Sequence, residues 1–300
     1  MDKYNISIII PHFNCPDLLD NLLTSIPQRE DIQIIVVDDK STDKIDKYNK
    51  LKEKYNYVEF YSNDRKKGPG TCRNIGIEKA IGKWIIFADS DDIFLNNAFE
   101  IIENNINCDE DIIYFNPTSK KTDGSDSNRT TEFSNFVKNY YENTSNKSEL
   151  DLRYRFTTPW SRMIRSSIIG DIGFDELMNS EDVMFSVRTA YKATKIKANK
   201  DSIYCVIDHP SSNTAQGDDF STIERTQVLI NRYKYLKNHL SRKDFALLDL
   251  AALGRIMITV RNPGASKETK RKVIKMFLDA HMRIFPRRIF TVKFWKDRFR

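Results

Sequence analysis

The sequence predicts an α/β protein in which a sheet of βα units, flanked by helices, is followed by a helical C-terminal extension. Three observations carry that expectation. The first 117 residues alternate short β-branched runs with amphipathic stretches, the pattern of successive βα units. The runs are continuously apolar, as strands are when helices cover both faces of their sheet. From about Thr222 onward the apolar spacing is helical throughout.

Taken in order, strands are expected at residues 6–10, 33–37, 58–61, 84–88 and 111–115. After the first, Leu18, Leu19, Leu22, Leu23 and Ile26 share one helical face; after the second, Tyr48, Leu51 and Tyr55 do so more weakly. Residues 118–131 carry Thr, Ser, Lys, Asp, Gly and Asn without periodicity and read as a loop, whereas 133–150 read as helical but polar. A second informative stretch covers 156–193, and a strand is expected at 202–207. Val228, Leu229, Tyr233 and Leu236, then Phe245, Leu248, Leu253, Ile256 and Met257, mark later helices. The boundary is placed near residue 216, dividing the chain into 1–216 and 217–300, with no internal repeat.

Composition narrows the function classes. At 300 residues, 40% hydrophobic and 30% charged, the chain has the make-up of a globular protein, against wholesale disorder or a membrane-spanning bundle. Its longest apolar runs, 6–10 and 32–37, are strand-sized, well short of the roughly 20 residues a spanning helix needs. The one apolar run near the N-terminus breaks at Pro11 and His12, without the features of a secretory signal, so a cytoplasmic location is expected. Cys15, Cys72, Cys108 and Cys205 are scattered, which suits reduced thiols better than a disulfide framework or a zinc site. The net charge of +6 comes with no nucleic-acid-binding motif, and no nucleic-acid partner is expected.

The acidic residues are more informative. The run at 34–37 leads into Asp38 and Asp39, and 84–88 leads into Asp89, Ser90, Asp91 and Asp92. In an open parallel sheet, ligands bind beyond the carboxyl ends of the strands, so both clusters would face one crevice. Carboxylates crowded there repel unless a cation lies among them, and hard oxygen ligands suit Mg2+ or Mn2+, which bridge phosphates. A single Asp pair would read as a turn; two clusters, each ending a buried strand, point to a polar site with a diphosphate substrate.

Four segments taken together, SIIIPHFN at 7–14, IIVVDDKSTD at 34–43, GPGTCRNIG at 68–76 and FADSDD at 87–92, resemble the family 2 glycosyltransferases of the GT-A fold. Order and spacing agree across roughly the first 210 residues, which makes the resemblance far more specific than one short motif. It implies a Rossmann-like mixed sheet flanked by helices and inverting transfer of a sugar from a nucleotide-sugar donor. Position by position, it implies Pro11 and Phe13 beside the nucleotide base and Asp39 accepting a hydrogen bond from the base ring, usually uracil. Arg73 would reach the base or diphosphate from the start of a helix, where backbone N–H groups also favour an anion. Asp89 and Asp91 match the Asp-X-Asp metal motif for Mn2+ or Mg2+, Asp91 as the more direct ligand and Asp89 nearer the ribose. Lys40 departs from the pattern, since Gly is common there. Without the resemblance, Arg73 would read as a solvated helix residue.

In NSEDVMFSVR at 179–188, Ser180 is an expected N-cap, placing Glu181 and Asp182 in the first helical turn. Acids there are ordinarily dipole stabilisers. The resemblance makes Asp182 the catalytic base, kept ionised by the helix N-terminus, with Glu181 beside it on the acceptor side. Residues 157–165 resemble the segment leading to the acceptor site, where Trp160 is either a sugar platform or core. His209 follows a strand where family members close over the diphosphate, a candidate diphosphate or metal contact, though a lone His is more often structural. Residues 282–300 mix basic and large apolar side chains. They suit a membrane interface with Trp295 and Phe299 inserted, or a packed C-terminal helix with a solvated basic face.

The combined expectation is a metal-dependent inverting transferase moving a sugar, from UDP in particular, to a hydroxyl of a glycan or lipid-linked saccharide in bacterial surface polysaccharide synthesis. Its place is the cytoplasm, or the inner face of the plasma membrane by peripheral contact. Two rivals are weighed. A sugar-phosphate nucleotidyltransferase would need a Gly-rich phosphate loop with a basic residue near the N-terminus, and residues 11–17 offer none. A non-catalytic scaffold of the same fold is disfavoured by intact Asp39, Asp89, Asp91 and Asp182.

Overall fold

The computed structural model describes residues 4–209 and 217–286. The chain divides into two compact units, Met1–His209 and Pro210–Arg300.

The first unit opens with β1 (Ile6–His12), α1 (Pro16–Thr24), β2 (Ile32–Asp38), α2 (Ile45–Lys54) and β3 (Glu59–Ser62). Then come α3 (Pro69–Lys79), β4 (Trp84–Phe87), β5 (Ile93–Phe94), α4 (Ala98–Glu103), β6 (Ile112–Phe115) and β7 (Thr118–Lys121). It closes with α5 (Thr131–Glu142), α6 (Asn146–Arg155), β8 (Arg162–Arg165), α7 (Ser166–Ile169), α8 (Glu181–Lys192), β9 (Ile196–Asn199) and β10 (Tyr204–Asp208).

Every residue of β1, β2 and β4 is buried, which is why these strands read as unbroken apolar runs. The polar exceptions are satisfied in pairs: Ser7 Oγ donates to Gln33 Oε1 at 2.6 Å and accepts from the Gly82 N–H at 2.8 Å. On α1, Leu19, Leu22 and Leu23 are buried, with Ile26 just beyond the helix. Each such side chain contributes about 1.5–3 kcal/mol by leaving water.

Among the described residues the main sheet has seven strands in the order β3-β2-β1-β4-β8-β6-β9. β8 runs antiparallel between β4 and β6, and the other pairings are parallel. The sheet is therefore mixed and not the open parallel sheet that the βα spacing alone suggests. A second sheet has the order β5-β10-β7. This corrects the reading of 118–131 as a loop throughout, because β10 supplies a parallel partner to Thr118–Lys121. The polar stretch at 133–150 is also two elements: the chain breaks after α5, and Ser145 caps α6 in a reciprocal box with Ser148.

The second unit contains α9 (Asp219–His239), α10 (Arg242–Leu248), α11 (Leu253–Arg261) and α12 (Lys267–Asp279). Ile230, Tyr233, Ala252, Val273, Phe277 and Met282 form its core. The start of the expected interfacial tail is thus packed: the Ala252 and Leu253 N–H groups donate to the Arg283 and Ile284 carbonyls, both at 2.9 Å. Residues 287–300, with Trp295 and Phe299, lie outside the described residues. Among the described residues, no helix is long and apolar enough to cross a membrane.

Candidate active site

Because β1, β2 and β4 are parallel neighbours, their carboxyl ends share one edge of the sheet. Asp39 follows β2 there, its N–H donating to the His12 carbonyl at 2.8 Å. Its buried carboxylate accepts from the Gly68 N–H at 2.9 Å and from Asn63 Nδ2 at 2.7 Å, bracing the loop that leads into α3. Gly68, at φ 147°, has a backbone that side-chain-bearing residues rarely adopt. Lys40 stands at φ 60°, in the left-handed region. That conformation is the physical reason glycine suits this position.

Arg73, on α3, is neither solvated nor turned outward. It is 4% exposed, and its guanidinium forks between two acids: Nη2 donates to Asp89 Oδ1 and Nη1 to Glu181 Oε1, each at 2.6 Å. Burial opposes its charge, but Asp89, Glu181 and Asp182 together hold its pKa above the ordinary arginine value. Close approach is possible because residue 70 is glycine: a Cβ there would stand 2.6 Å from the Asp175 carbonyl oxygen and 3.0 Å from Glu181 Cγ. Arg73 thus bridges the turn after β4 and the start of α8.

The acids after β4 divide by role. Asp92 is 3% exposed and structural: Oδ1 accepts from the Ile207 N–H and Oδ2 from the Tyr204 hydroxyl, both at 2.8 Å. The same hydroxyl accepts from the Asp89 N–H at 2.8 Å, so one phenol shapes the turn. Burial, then the charges of Asp89 and Asp91, push the Asp92 carboxyl well up. Asp91 keeps some surface, and burial followed by the Asp89 charge raises its pKa too. His209 Nε2 is 3.5 Å from the Asp91 carbonyl oxygen, so the expected His209 does stand beside this turn. Among the described residues, no three His, Cys, Asp or Glu side chains form a group that could hold a metal ion unaided.

Glu181 and Asp182 open α8, but Ser180 is left-handed at φ 59° and makes no side-chain cap. Asp182, expected to be kept ionised by the helix N-terminus, lies beside Glu181 in that first turn. It retains some surface, yet lost hydration first and the Glu181 charge second raise its pKa to about 8. Trp160 is 7% exposed, its ring packed by Phe133, Phe156 and Tyr204. Of the two readings, its surroundings are those of the core. Pro11 is buried in β1, whereas Phe13 is 41% exposed with Lys67 Nζ 3.5 Å from its ring centre.

Sequence reasoning missed Asn63, Tyr204 and the pairing of His12 Nδ1 with Asp38 Oδ1 at 2.9 Å. A buried hydroxyl or amide partner leaves no periodic signal; only the polar His12 within an otherwise apolar run hinted at a partner.

A family model described as Glycosyl transferase family 2 matches residues 7–173, over half of the 300-residue chain. The Staphylococcus aureus poly(ribitol-phosphate) beta-N-acetylglucosaminyltransferase TarS is 28% identical over 240 residues, covering 73% of this chain and 39% of that protein. The Bacillus spizizenii poly(ribitol-phosphate) beta-glucosyltransferase is 44% identical over 99 residues, covering 31% of this chain and 16% of that protein. The chain thus matches well under half the length of these curated relatives. The crystal structure of Staphylococcus aureus TarS 1–349 in complex with UDP-GlcNAc aligns with a TM-score of 0.69 at 21% identity, covering 92% of this chain and 81% of that one. The two share a fold.

Proposed function

Since the chain belongs to glycosyl transferase family 2 and has its GT-A fold, we propose that it is an inverting glycosyltransferase using a UDP-sugar donor and a glycan or lipid-linked saccharide acceptor. One observation carries this reading: Asp89, after β4, and Glu181, the first of the acidic pair opening α8, are drawn onto the single guanidinium of Arg73. Two relatives named for transfer to poly(ribitol-phosphate) support a role in bacterial surface polymers.

Asp39 binds the uracil ring in this reading. Its carboxylate already accepts from Gly68 and Asn63 and has lone-pair capacity for one more N–H. Pro11 and Phe13 border the base, the Lys67 ammonium lying over the Phe13 ring. Asp89 faces the ribose, and Arg73 holds it in place.

Mg2+ or Mn2+ fits the donor set of Asp89 and Asp91. Both offer hard carboxylate oxygens, and burial first, then the Asp89 charge, raises the pKa of Asp91. Asp89 and Asp91 would hold the ion, as one or two carboxylates with substrate phosphates and water commonly do. A bound divalent ion supplies charge neutralisation for the departing nucleoside diphosphate. His209, beside Asp91, is the further candidate contact on this side.

Asp182 takes the proton from the acceptor hydroxyl, which attacks the anomeric carbon from the face opposite the nucleotide, so configuration inverts. A base of pKa about 8 is close to the working pH, where general-base catalysis is effective. Glu181, tied to Arg73, fixes the start of the helix that presents it. Peripheral attachment through 282–300 completes the proposal, residues 282–284 anchoring the tail to the helical unit.

Thermal shift with UDP, GDP, CDP and dTDP, each with and without Mn2+, tests the donor. A ligand at 100 times its Kd stabilises by about 2.7 kcal/mol, and UDP with Mn2+ is expected to do so. A shift with GDP and none with UDP would reject the base assignment.

A further inference from the structure

Arg162, the first residue of β8, is a fully enclosed guanidinium with no acid bonded to it. Its exposure is 0%, and only Nη2 has a hydrogen-bond partner, the Ser186 hydroxyl oxygen at 2.8 Å. Nε and Nη1 have none among the described residues, and no carboxylate there forms an ion pair with the group. The Tyr114 and Phe156 rings stand 5.8 and 5.9 Å away, and the buried Tyr114 hydroxyl is likewise unpartnered. Aromatic faces attract a cation but do not replace its counter-ion. Burial works against the charge without removing it, since a guanidinium stays protonated in proteins. A cation enclosed in this way is costly unless an anion stands close by.

The bond to Ser186 indicates which anion. Ser186 follows Asp182 by four residues on α8, so the two share one face of the helix, with Cβ atoms about 5–6 Å apart. Side chains on a helix lean towards its N-terminus, which turns the Ser186 hydroxyl, and the guanidinium bonded to it, towards the turn that holds Asp182. The same hydroxyl donates to the Thr157 carbonyl at 2.7 Å, fastening the segment that leads into β8 to this face. Arg73 is already shared between Asp89 and Glu181, whereas Asp182 bonds to neither guanidinium. Asp182 keeps some surface while Arg162 has none, so the cation stands on the inner side of the acid.

We propose that Arg162 is a positioning residue for the transfer step: through Ser186 it fixes the helix face that carries Asp182, and its charge favours the carboxylate form of that acid. The inference rests on the reading of Asp182 as the base. In the step itself the acceptor O–H bond breaks and its proton moves to the Asp182 carboxylate, while Arg162 keeps its own protons throughout. It acts on the base and touches neither donor nor acceptor. Besides burial, the other charges acting on Asp182 are Glu181 beside it on α8, Arg73 on α3 and Asp89 after β4. In agreement with the geometry, Asp182 is the carboxylate whose charge acts on the Arg162 guanidinium.

The test is a 13C NMR titration of the full chain labelled at aspartate Cγ, the Asp182 signal being the one missing from Asp182→Asn. Arg162→Met, similar in length and uncharged, should raise the Asp182 midpoint above its value of about 8 by on the order of one pH unit or more. Arg162→Lys, which keeps the charge, should leave it within about half a unit. An apolar side chain in place of an enclosed charge is often tolerated, and Arg162→Gln, which retains a donor for Ser186, gives the same reading if the Met variant does not fold. An unmoved midpoint in a folded neutral variant would overturn the proposal. So would a Lys variant shifted as far as the neutral ones, because shape and not charge would then set the midpoint. Normal sugar transfer by Asp182→Asn would instead overturn the base reading, and the role in transfer with it, while the titration separately judges the relation between Arg162 and Asp182.

Discussion

Arg73 and Glu181 lie 108 positions apart in sequence and 2.6 Å apart in the fold. The same guanidinium holds Asp89, 16 positions away, at the same distance. With Arg73 almost wholly enclosed, this is a buried charge triad whose members depend on one another. Its net contribution to stability is small, but removing one member leaves the others unpaired.

Arg73→Ala should therefore destabilise the fold by about 3–5 kcal/mol, the usual cost of breaking a buried ion pair, and weaken UDP binding. Arg73→Lys should recover only part, because an ammonium cannot fork between two carboxylates. Urea unfolding and isothermal titration measure both; an unchanged midpoint with intact UDP binding would show the triad to be incidental.

Asp182→Asn should retain donor and metal affinity while sugar transfer falls by roughly 100-fold or more, the worth of a positioned general base. In the unsubstituted enzyme, kcat/KM should rise with pH towards a plateau above about 8, where the carboxylate is ionised. The variant should lack that limb. Full activity in Asp182→Asn with a dead Glu181→Gln would move the base to its neighbour.

Stability carries the same signature with the opposite sign. The Asp182 pKa rises from an ordinary 3.8 to about 8 on folding, so the folded state holds the extra proton between those values. Its contribution is complete below pH 3.8 and is lost as pH rises through about 8. Asp182→Asn, which cannot lose that proton, should gain stability relative to the parent on going from pH 4 to pH 8.5. Parallel melting curves across that range would argue against the raised pKa.

Asp91→Ala and Asp92→Ala, one residue apart, should differ. The first removes a charge from a repelling cluster, so metal-dependent UDP binding is lost while the melting temperature holds. The second strips the Tyr204 hydroxyl and the Ile207 N–H of their acceptor, costing about 1–3 kcal/mol. Thermal melts with and without Mn2+ separate the two, and a collapsed Asp91→Ala would assign that residue to the fold.

Deleting residues 287–300, and leaving Met282 in its core, should give a protein that still binds UDP but no longer sediments with anionic vesicles. The motivation is the mixture of basic and large apolar side chains in that segment. Undiminished sedimentation would place the membrane contact elsewhere or dismiss it.

Much of this was legible beforehand, for reasons that particular residues show. β1, β2 and β4 are buried on both faces, so their apolar runs mark them and the acids that follow them. β8 is four residues, Arg-Met-Ile-Arg, and its place comes from antiparallel neighbours far away in sequence, which periodicity does not carry. Trp160 was ambiguous because only its neighbours Phe133, Phe156 and Tyr204 decide between core and platform. The ion pairs of Arg73 leave no mark in the sequence because their acids come from two other segments of the chain. Asp182 was located correctly on its helix, but the raised pKa depends on burial and on Glu181, neither of which the first-turn position reveals.

The place of β8 in the sheet also bears on how the protein is made. Until residues 162–165 have left the ribosome, β4 has only β1 beside it, and β6 awaits both of its partners. A nascent chain at that stage presents Trp84–Phe87, an all-apolar strand, along an open edge. Such an edge is a template for pairing between chains. Synthesis from residue 88 to residue 165 is therefore the interval in which a chaperone has most to cover. Translation arrested within it should yield aggregates, whereas arrest well after His209 should give a sheet with β4 and β6 paired on both sides.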